Sequence, residues 1–397
     1  MHCPRSNYDL DHELGLDYFI TSTSGLGGEL RERLDDFVVN EIPVQPPHNS
    51  TGEYTHFTLE KSNWETAGAI FAIARAIGVS RERFSYAGNK DKRALTTQRV
   101  SAWRIEEDRL REIKINGIQL YDFDRSDFRL NTGNLKGNKF RIVIRRPSLH
   151  EQSIATVIRA ACEQIKSNGV PNYFGYQRFG TIRPNTHLVG RELVKGNLEE
   201  SVLEYLGRPF DTEPEDSREA RRYLDETRDY QSALKRYPQR LTYERMMLTE
   251  LTRNPEDYAG ALRRLPKTLR TLFVHAYQAF LFNRTLSRML ELEEDCRRES
   301  LPLIGYRTKL TGGVASGIQR SLLQEDGVTT DSFRIRPLPE LSSTGDERPA
   351  FLDVNPTVRV DEQRNGDITV TAEFELPPGS YATTVIRELM KSDPLHY

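Results

Sequence analysis

The spacing of apolar residues in the first 180 positions switches between the period of a strand and the period of a helix. Alternation with a period of two predicts strands, which fall near residues 37–39, 54–60, 99–104 and 140–145. Apolar residues at helical spacing predict a helix that Asn63 caps and Gly78 ends. A second helix is predicted over residues 154–165. This part of the chain therefore mixes strands and helices.

From about residue 181 the pattern changes to charged helical segments separated by prolines, with a long apolar helix over residues 267–291. Strand patterns return at residues 354–360 and 368–374, and a final helix is predicted over residues 381–391. Strands and helices that do not alternate regularly are typical of an α+β domain. The sequence therefore predicts an α+β fold whose main domain comprises residues 1–180 and 351–397, with an inserted domain at residues 181–350.

Composition restricts the class of protein. A chain of 397 residues with 37% hydrophobic and 29% charged residues can form two or three domains with a sizeable core. No apolar run is long enough to span a membrane, and the first residues do not resemble a signal peptide, so we expect a cytoplasmic protein. The three cysteines are far apart in sequence, and neither a disulfide framework nor a metal site is predicted. His275, on the long apolar helix, is expected to be a core residue.

Charge is distributed unevenly, although the formal net charge is only −2. Residues 136–146 hold five basic residues and no acid, and residues 263–288 hold six basic residues and no acid. Residues 199–229, in contrast, carry eleven acids and five bases. Clustered cations of this kind suit the binding of RNA phosphates, and the alternative is that each cation faces water separately.

The candidate for chemistry is Asp91, which follows a short Ala-Gly turn in the segment AGNKDKR at residues 87–93. The pattern places it in a loop before a strand, with Lys90, Lys92 and Arg93 as its neighbours. A carboxylate among cations is expected to stay ionised, so it can serve as a nucleophile rather than as an acid. The alternative is a solvated turn with one acid among bases.

Six segments, in this order along the chain, resemble the motifs of the TruD family of tRNA pseudouridine synthases. They are DDFVVNE (35–41), AGNKDKRALTTQ (87–98), GNKFRI (137–142), NYFGYQRFG (172–180), HAYQAFLFN (275–283) and LPPGSYATT (376–384). The resemblance implies a catalytic domain on a mixed, mostly antiparallel sheet with flanking helices, split by an inserted, mainly helical α+β domain. It also implies isomerisation of a flipped uridine, at position 13 in the D arm of tRNA, without a cofactor. No obligate protein partner is indicated.

The resemblance also implies roles for individual residues. Asp91 matches the catalytic aspartate. The substrate-binding positions include Arg31, the cation six residues before the phenylalanine of the first motif, and four further residues, Phe37, Asn172, Phe174 and Tyr381. Phe174 is expected to stack on the base and Asn172 to contact the uracil edge. Candidate phosphate contacts are Lys90, Lys92, Arg93, Lys136, Lys139, Arg141 and Arg178.

Other classes of function remain open. An RNA-binding protein without catalysis, such as an RNA chaperone, would share the basic segments, but an acid in the basic loop would repel phosphate. Residues 122–126 resemble a phosphatase motif with Ser126 in the last place, yet no matching downstream element follows, and a polar turn is preferred. Residues 311–317 resemble a phosphate cradle only in glycine content, and a flexible turn is preferred there.

Overall fold

The computed structural model describes residues 3–45, 48–149, 151–362 and 367–397. The chain divides into two compact units, each made of two segments. The sheet unit comprises Ile20–Val170 and Leu352–Tyr397, and the helical unit comprises Met1–Phe19 and Pro171–Phe351. The domain boundaries expected at residues 180/181 and 350/351 stay a prediction.

A mixed, mostly antiparallel sheet forms the centre of the sheet unit. Its strands are β1 (Phe37–Pro43), β2 (Tyr54–Ser62), β3 (Phe84–Tyr86), β4 (Leu95–Trp103), β5 (Ile118–Ser126), β6 (Leu135–Arg145), β11 (Thr357–Glu362) and β12 (Ile368–Leu376). Among the described residues the strand order is β11-β12-β6-β1-β4-β2-β5, and β3 pairs with β4. The pair β1–β4 is parallel, whereas β1–β6 and β6–β12 are antiparallel. The α+β fold class predicted from the sequence is confirmed.

Helices cover the sheet and bury its apolar side chains. They are α2 (Thr66–Ala76), α3 (Glu107–Arg111), α4 (Glu151–Asn168) and α13 (Ala382–Met390). Residues of α4 and α13 share one apolar cluster with β1, β6 and β12, and residues of α2 share another with β2 and β4. Each fully buried large apolar side chain contributes about 1.5–3 kcal/mol to stability. The two apolar clusters therefore stabilise the sheet, and the sheet holds the loops at the ends of its strands in position.

The register of β1 against β6 brings two polar residues to the end of an apolar row. Phe37 pairs with Ile142 and Val39 pairs with Phe140, and these four side chains are buried. The next pair along the same face is Glu41 with Asn138. Because opposite residues in a sheet share one face, a carboxylate and an amide continue the row where the apolar core ends.

The helical unit contains most of the remaining helices. Its elements are α1 (Asp9–Glu13), α5 (Thr186–Lys195), α6 (Leu198–Leu206), α7 (Glu215–Thr227), α8 (Tyr230–Arg236), α9 (Thr242–Arg253), α10 (Tyr258–Arg263), α11 (Lys267–Glu291), α12 (Gly313–Glu325), β8 (Ser300–Leu303) and β9 (Asp346–Pro349). The short strands β7 (Val170–Pro171) and β10 (Phe351–Leu352) lie where the chain passes between units. Helix α5 packs closely on α11 at Gly190, where a Cβ atom would lie 1.9 Å from the carbonyl oxygen of Phe273.

Several local predictions were wrong. Asn63 has a left-handed backbone (φ 61°), and α2 begins two residues later than a cap at Asn63 would require. The segment expected as a polar turn at residues 122–126 belongs to edge strand β5, where Asp122 has a φ of 52°. His275 is exposed rather than part of the core. In the described part of the chain, no helix is both long and apolar enough to cross a membrane.

Candidate active site around Asp91

Asp91 lies in the loop between β3 and β4, and hydrogen bonds fix the start of this loop. The Gln98 side chain donates from Nε2 to the carbonyl oxygen of Gly88 (3.0 Å) and accepts from Thr66 Oγ1 (2.9 Å). The backbone N–H of Lys90 donates in turn to Thr66 Oγ1 (2.9 Å). Thr66 and Gln98 are buried, so the polar groups of the loop start are satisfied inside the protein.

A buried lysine holds the next part of the loop. Lys61 on β2 is only 1% exposed, and its Nζ donates to the carbonyl oxygens of Trp64 (2.7 Å), Lys90 (3.2 Å) and Asp91 (2.9 Å). The three N–H donors of an ammonium group thus meet three acceptors. Burial lowers the pKa of Lys61 to about 8, against the opposing effect of the Asp91 charge.

The side chain of Asp91 reaches solvent but is oriented by Arg31. Its carboxylate is 46% exposed and forms an ion pair with Nη2 of Arg31 at 3.1 Å. The Arg31 guanidinium lies over the ring of Phe37, with Cζ 4.2 Å from the ring centroid. Burial lowers the pKa of Arg31, whereas the negative charge of Asp91 raises it. The sequence-predicted residues Arg31, Phe37 and Asp91 therefore come together.

The backbone of Arg31 and the ring of Phe37 hold the Arg31 guanidinium in place. Arg31 has a left-handed backbone (φ 59°), which costs a residue with a Cβ atom about 1 kcal/mol. Phe37 is buried in the core at the start of β1, so its ring supports the guanidinium from inside the protein. The face of the ring adds a cation–π attraction of about 0.5–2 kcal/mol. Phe37 thus contributes as a platform for Arg31.

The expectation that Lys90 contacts phosphate needs correction. Its side chain is 5% exposed, and Nζ forms an ion pair with Glu41 Oε2 (2.8 Å), whose side chain is 1% exposed. Nζ also donates to Asn138 Oδ1 (2.8 Å). The polar end of the β1–β6 row therefore receives the ammonium of Lys90. Because the charge is used inside the protein, Lys90 anchors the loop and does not present its ammonium to RNA.

The other expected cations of the sheet unit are accessible. Lys92, Arg93, Lys136 and Lys139 are exposed, and Arg141 is partly exposed. Lys92 lines a cleft of about 760 Å³ together with Trp64 and Asn116.

Tyr381 is partly buried at the N-terminal end of α13, where its carbonyl oxygen accepts from Thr384 Oγ1 (2.7 Å). Among the described residues, no group of three or more His, Cys, Asp or Glu side chains is arranged to hold a metal ion.

In the helical unit, Asn172 and Phe174 form a second cluster around Arg348. Phe174 is 6% exposed, and the Arg348 guanidinium lies over its ring with Cζ 4.1 Å from the centroid. Arg348 also donates to the backbone and side-chain oxygens of Asn172. The side chain of Asn172 in turn donates from Nδ2 to the carbonyl oxygen of Pro349 (2.9 Å). The amide that was expected to contact uracil is thus occupied by the protein and fixes Arg348.

Phe174 lines a pocket of about 350 Å³. The other lining groups are mainly polar and include Arg178, His275, Gln278 and Asp346. The Arg178 guanidinium lies 5.5 Å from the centroid of the Phe174 ring. The ring of Phe174 therefore forms part of the wall of a polar pocket and lies next to the guanidinium groups of Arg178 and Arg348.

Comparison with known proteins gives a consistent result. The profile of the family described as tRNA pseudouridine synthase D (TruD) matches residues 13–299 and 297–389. The chain belongs to the TruD family. A Methanosarcina mazei protein named as a probable tRNA pseudouridine synthase D is 37% identical over 98% of each chain. A Methanopyrus kandleri protein of the same name is 39% identical over 89% of each chain.

A solved structure agrees with this assignment. The crystal structure of a TruD homologue from Methanosarcina mazei matches with a TM-score of 0.83 and 36% identity, covering 100% of both chains. The fold and the family expected from the six TruD-like segments are therefore confirmed.

Some residues of the two candidate clusters were not predicted from the sequence. Asn283 is the last residue of a recognised segment, and its side chain accepts from the backbone N–H of Phe174 (2.8 Å) and donates to its carbonyl oxygen (3.1 Å). The position of Asn283 in a TruD-like segment could have marked it as a candidate site residue. Lys61 and Arg348 lie outside the six segments, and nothing in their sequence neighbourhood indicates that their charges are buried.

Arg31→Met is expected to lower kcat about 100-fold with little change in tRNA affinity. The variant keeps an unbranched apolar stem over Phe37 but removes the guanidinium that orients the Asp91 carboxylate, and a misplacement of about 1 Å costs a factor of this size. Steady-state kinetics and tRNA binding measure the two effects. Arg31→Lys is the matched control and should keep part of the activity, because lysine supplies a point charge without the planar fork. Full activity in Arg31→Met would remove this role.

Proposed function

We propose that this protein isomerises uridine to pseudouridine in tRNA, at position 13 of the D arm, with Asp91 as the catalytic group. The observation that carries the proposal is the Asp91 carboxylate, ion-paired with Arg31 at the exposed tip of a fixed loop, in a chain of the TruD family. Membership of the family supports tRNA as the substrate and partner. It supports a cytoplasmic location as well.

The reaction is balanced without an oxidant or a reductant. The bond between uracil N1 and ribose C1′ breaks, the base turns, and a bond forms between C5 and C1′. The proton on C5 is lost and N1 gains one. Addition of Asp91 to the substrate and abstraction of a sugar proton by Asp91 both require an ionised carboxylate beside the glycosidic bond. Arg31 holds that carboxylate in place and leaves one side of it open to solvent.

The target base must leave the RNA stack before it reaches the carboxylate. Unstacking costs a few kcal/mol, which stacking in a protein pocket offsets. Phe174 stays our prediction for the aromatic platform, in keeping with its family position. Arg348 and Arg178 border its ring, so the base would have to take the place of a guanidinium or lie beside one. Lys92, Arg93, Lys136 and Lys139 remain the candidate phosphate contacts of the sheet unit, since they are exposed.

Mapping of pseudouridine in one tRNA transcript, incubated with and without the protein, tests the proposal. We expect one new pseudouridine per molecule, at position 13. A transcript with cytidine at position 13 serves as the control and should stay unmodified. Modification only at another position would refute the assigned site. Tight tRNA binding without any pseudouridine would instead support the RNA-binding class that lacks catalysis.

A further inference from the structure

Lys61 is a buried cation that the proposed reaction does not use directly. Two of its three acceptors, the carbonyl oxygens of Lys90 and Asp91, belong to the loop that carries the catalytic carboxylate. The third, the carbonyl oxygen of Trp64, lies three residues away on its own segment. Lys61 therefore links strand β2 to the backbone of Asp91 itself.

We propose that Lys61 is a positioning residue, whose ammonium group fixes the Asp91 backbone so that the carboxylate meets Arg31 and the substrate in one orientation. The inference rests on the proposed function of Asp91. An apolar side chain of similar length could fill the same volume, but it would leave three partly buried carbonyl oxygens without this donor. Loss of the partner of a fully buried acceptor costs about 1–3 kcal/mol. Partly buried carbonyl oxygens lose less, and the loop reduces the loss by moving toward water, which displaces Asp91.

Among the described residues, three charged groups act most strongly on Lys61. Its neighbours in the sheet are Thr96 on β4 and Ile118 on β5, which carry no charge. The charged groups that act on it are Asp91 and Glu65, which favour the ammonium form, and Lys90, which disfavours it. Burial is the largest effect and disfavours the charge, whereas the two acids favour it and the three carbonyl oxygens accept its N–H groups.

The number of N–H groups on Lys61 predicts how kcat depends on pH. Below a pKa of about 8, Lys61 has three N–H groups for three carbonyl oxygens. Above it, the neutral amine has two N–H groups, so one of the three carbonyl oxygens loses its donor and the lone pair of the amine faces an oxygen. We therefore expect kcat to be highest below about pH 8 and to fall as the pH rises through that value, with tRNA affinity changing less.

Lys61→Met and a matched control variant, Lys391→Met, test the role. Lys391 is a partly buried lysine of the sheet unit whose Nζ also donates to backbone carbonyl oxygens, in this case those of Thr21 and Thr23. We expect Lys61→Met to lower kcat about 100-fold with a much smaller change in KM, as for a misplacement of about 1 Å. Lys391→Met should keep kcat. Amide hydrogen exchange of residues 88–93 should rise in Lys61→Met and stay unchanged in Lys391→Met.

Chemical rescue separates the ammonium from the volume it fills. Propylammonium added to Lys61→Ala should restore part of kcat, whereas propanol at the same concentration should not. Wild-type kcat together with wild-type loop exchange in Lys61→Met overturns the inference, and so does equal rescue by the alcohol. If Lys61→Met does not fold, the pH profile of the wild-type protein decides, and a constant kcat from about pH 7 to 9 overturns the inference.

Failure of the inference can be distinguished from failure of the proposed function. The loop exchange of Lys61→Met does not depend on any reaction, so it reports whether Lys61 fixes the loop even in an inactive protein. Full activity of Asp91→Asn would refute the proposed role of Asp91 alone. An inactive Asp91→Asn together with an unaffected Lys61→Met would refute the role of Lys61 alone.

Discussion

Asp91→Asn is expected to abolish pseudouridine formation, with a loss of about 10⁴-fold or more in kcat. Removal of a catalytic nucleophile typically has an effect of this size. The amide has nearly the same shape as the carboxylate but carries no negative charge, so it can neither attack nor take a proton. Single-turnover measurement of pseudouridine in a tRNA transcript gives the rate.

Binding is the control for this variant. Asp91 is exposed beside cations, so its neutralisation should leave tRNA affinity unchanged or slightly increased. Glu53→Gln is a matched variant, because Glu53 is another exposed carboxylate of the sheet unit that pairs with an arginine, Arg104. It should keep full activity. Pseudouridine formation by Asp91→Asn at the wild-type rate is incompatible with the proposed chemistry.

Lys90→Met is expected to reduce the free energy of unfolding of the sheet unit by about 3–5 kcal/mol. Loss of one partner from a buried ion pair leaves an uncompensated charge inside the protein, and costs of this size are typical. Here the remaining charge is the Glu41 carboxylate, whose side chain is 1% exposed. Urea unfolding followed by tryptophan fluorescence is selective for this unit, because the two tryptophans of the chain, Trp64 and Trp103, both lie in it.

The double variant Lys90→Met/Glu41→Gln tests the cause of the loss. It removes both charges, so we expect it to be more stable than Lys90→Met alone. Arg104→Met breaks the exposed pair with Glu53 and should change stability little. Equal stabilities of Lys90→Met and the double variant would show that an unpaired Glu41 charge is not the reason.

Strong periodicity predicted the fold well. Gly78 does end α2, with a φ of 65°, whereas the start signal at Asn63 failed. The helix expected at residues 267–291 is α11 (Lys267–Glu291), and the strand expected at 140–145 is the end of β6. Asn63 failed as a cap because capping depends on backbone angles that the residue type does not fix. Strand β5 was missed because it is an edge strand with an irregular register against β2, so its polar residues do not alternate clearly.

The site was predictable as far as family motifs reach. Asp91, Arg31 and Phe37 contact one another as expected, because residues at these motif positions lie close together in the family fold. The direction of each side chain was not predictable. Lys90 stands between exposed neighbours in sequence, yet it turns inward because Glu41 and Asn138, both distant along the chain, form the acceptors at the end of the β1–β6 row. Asn172 is occupied by Arg348 for the same kind of reason.

The sheet has a consequence for synthesis on the ribosome. Strand β12 pairs with β6, and Phe374 stacks on Phe140 with ring centroids 5.6 Å apart, so the last residues complete a core begun by the first segment. Until residues 368–376 have been translated, β6 lacks β12 as its neighbour and exposes an unpaired edge, a form that is prone to aggregation. The nascent protein must therefore keep its first half soluble while about 180 residues of the helical unit are made.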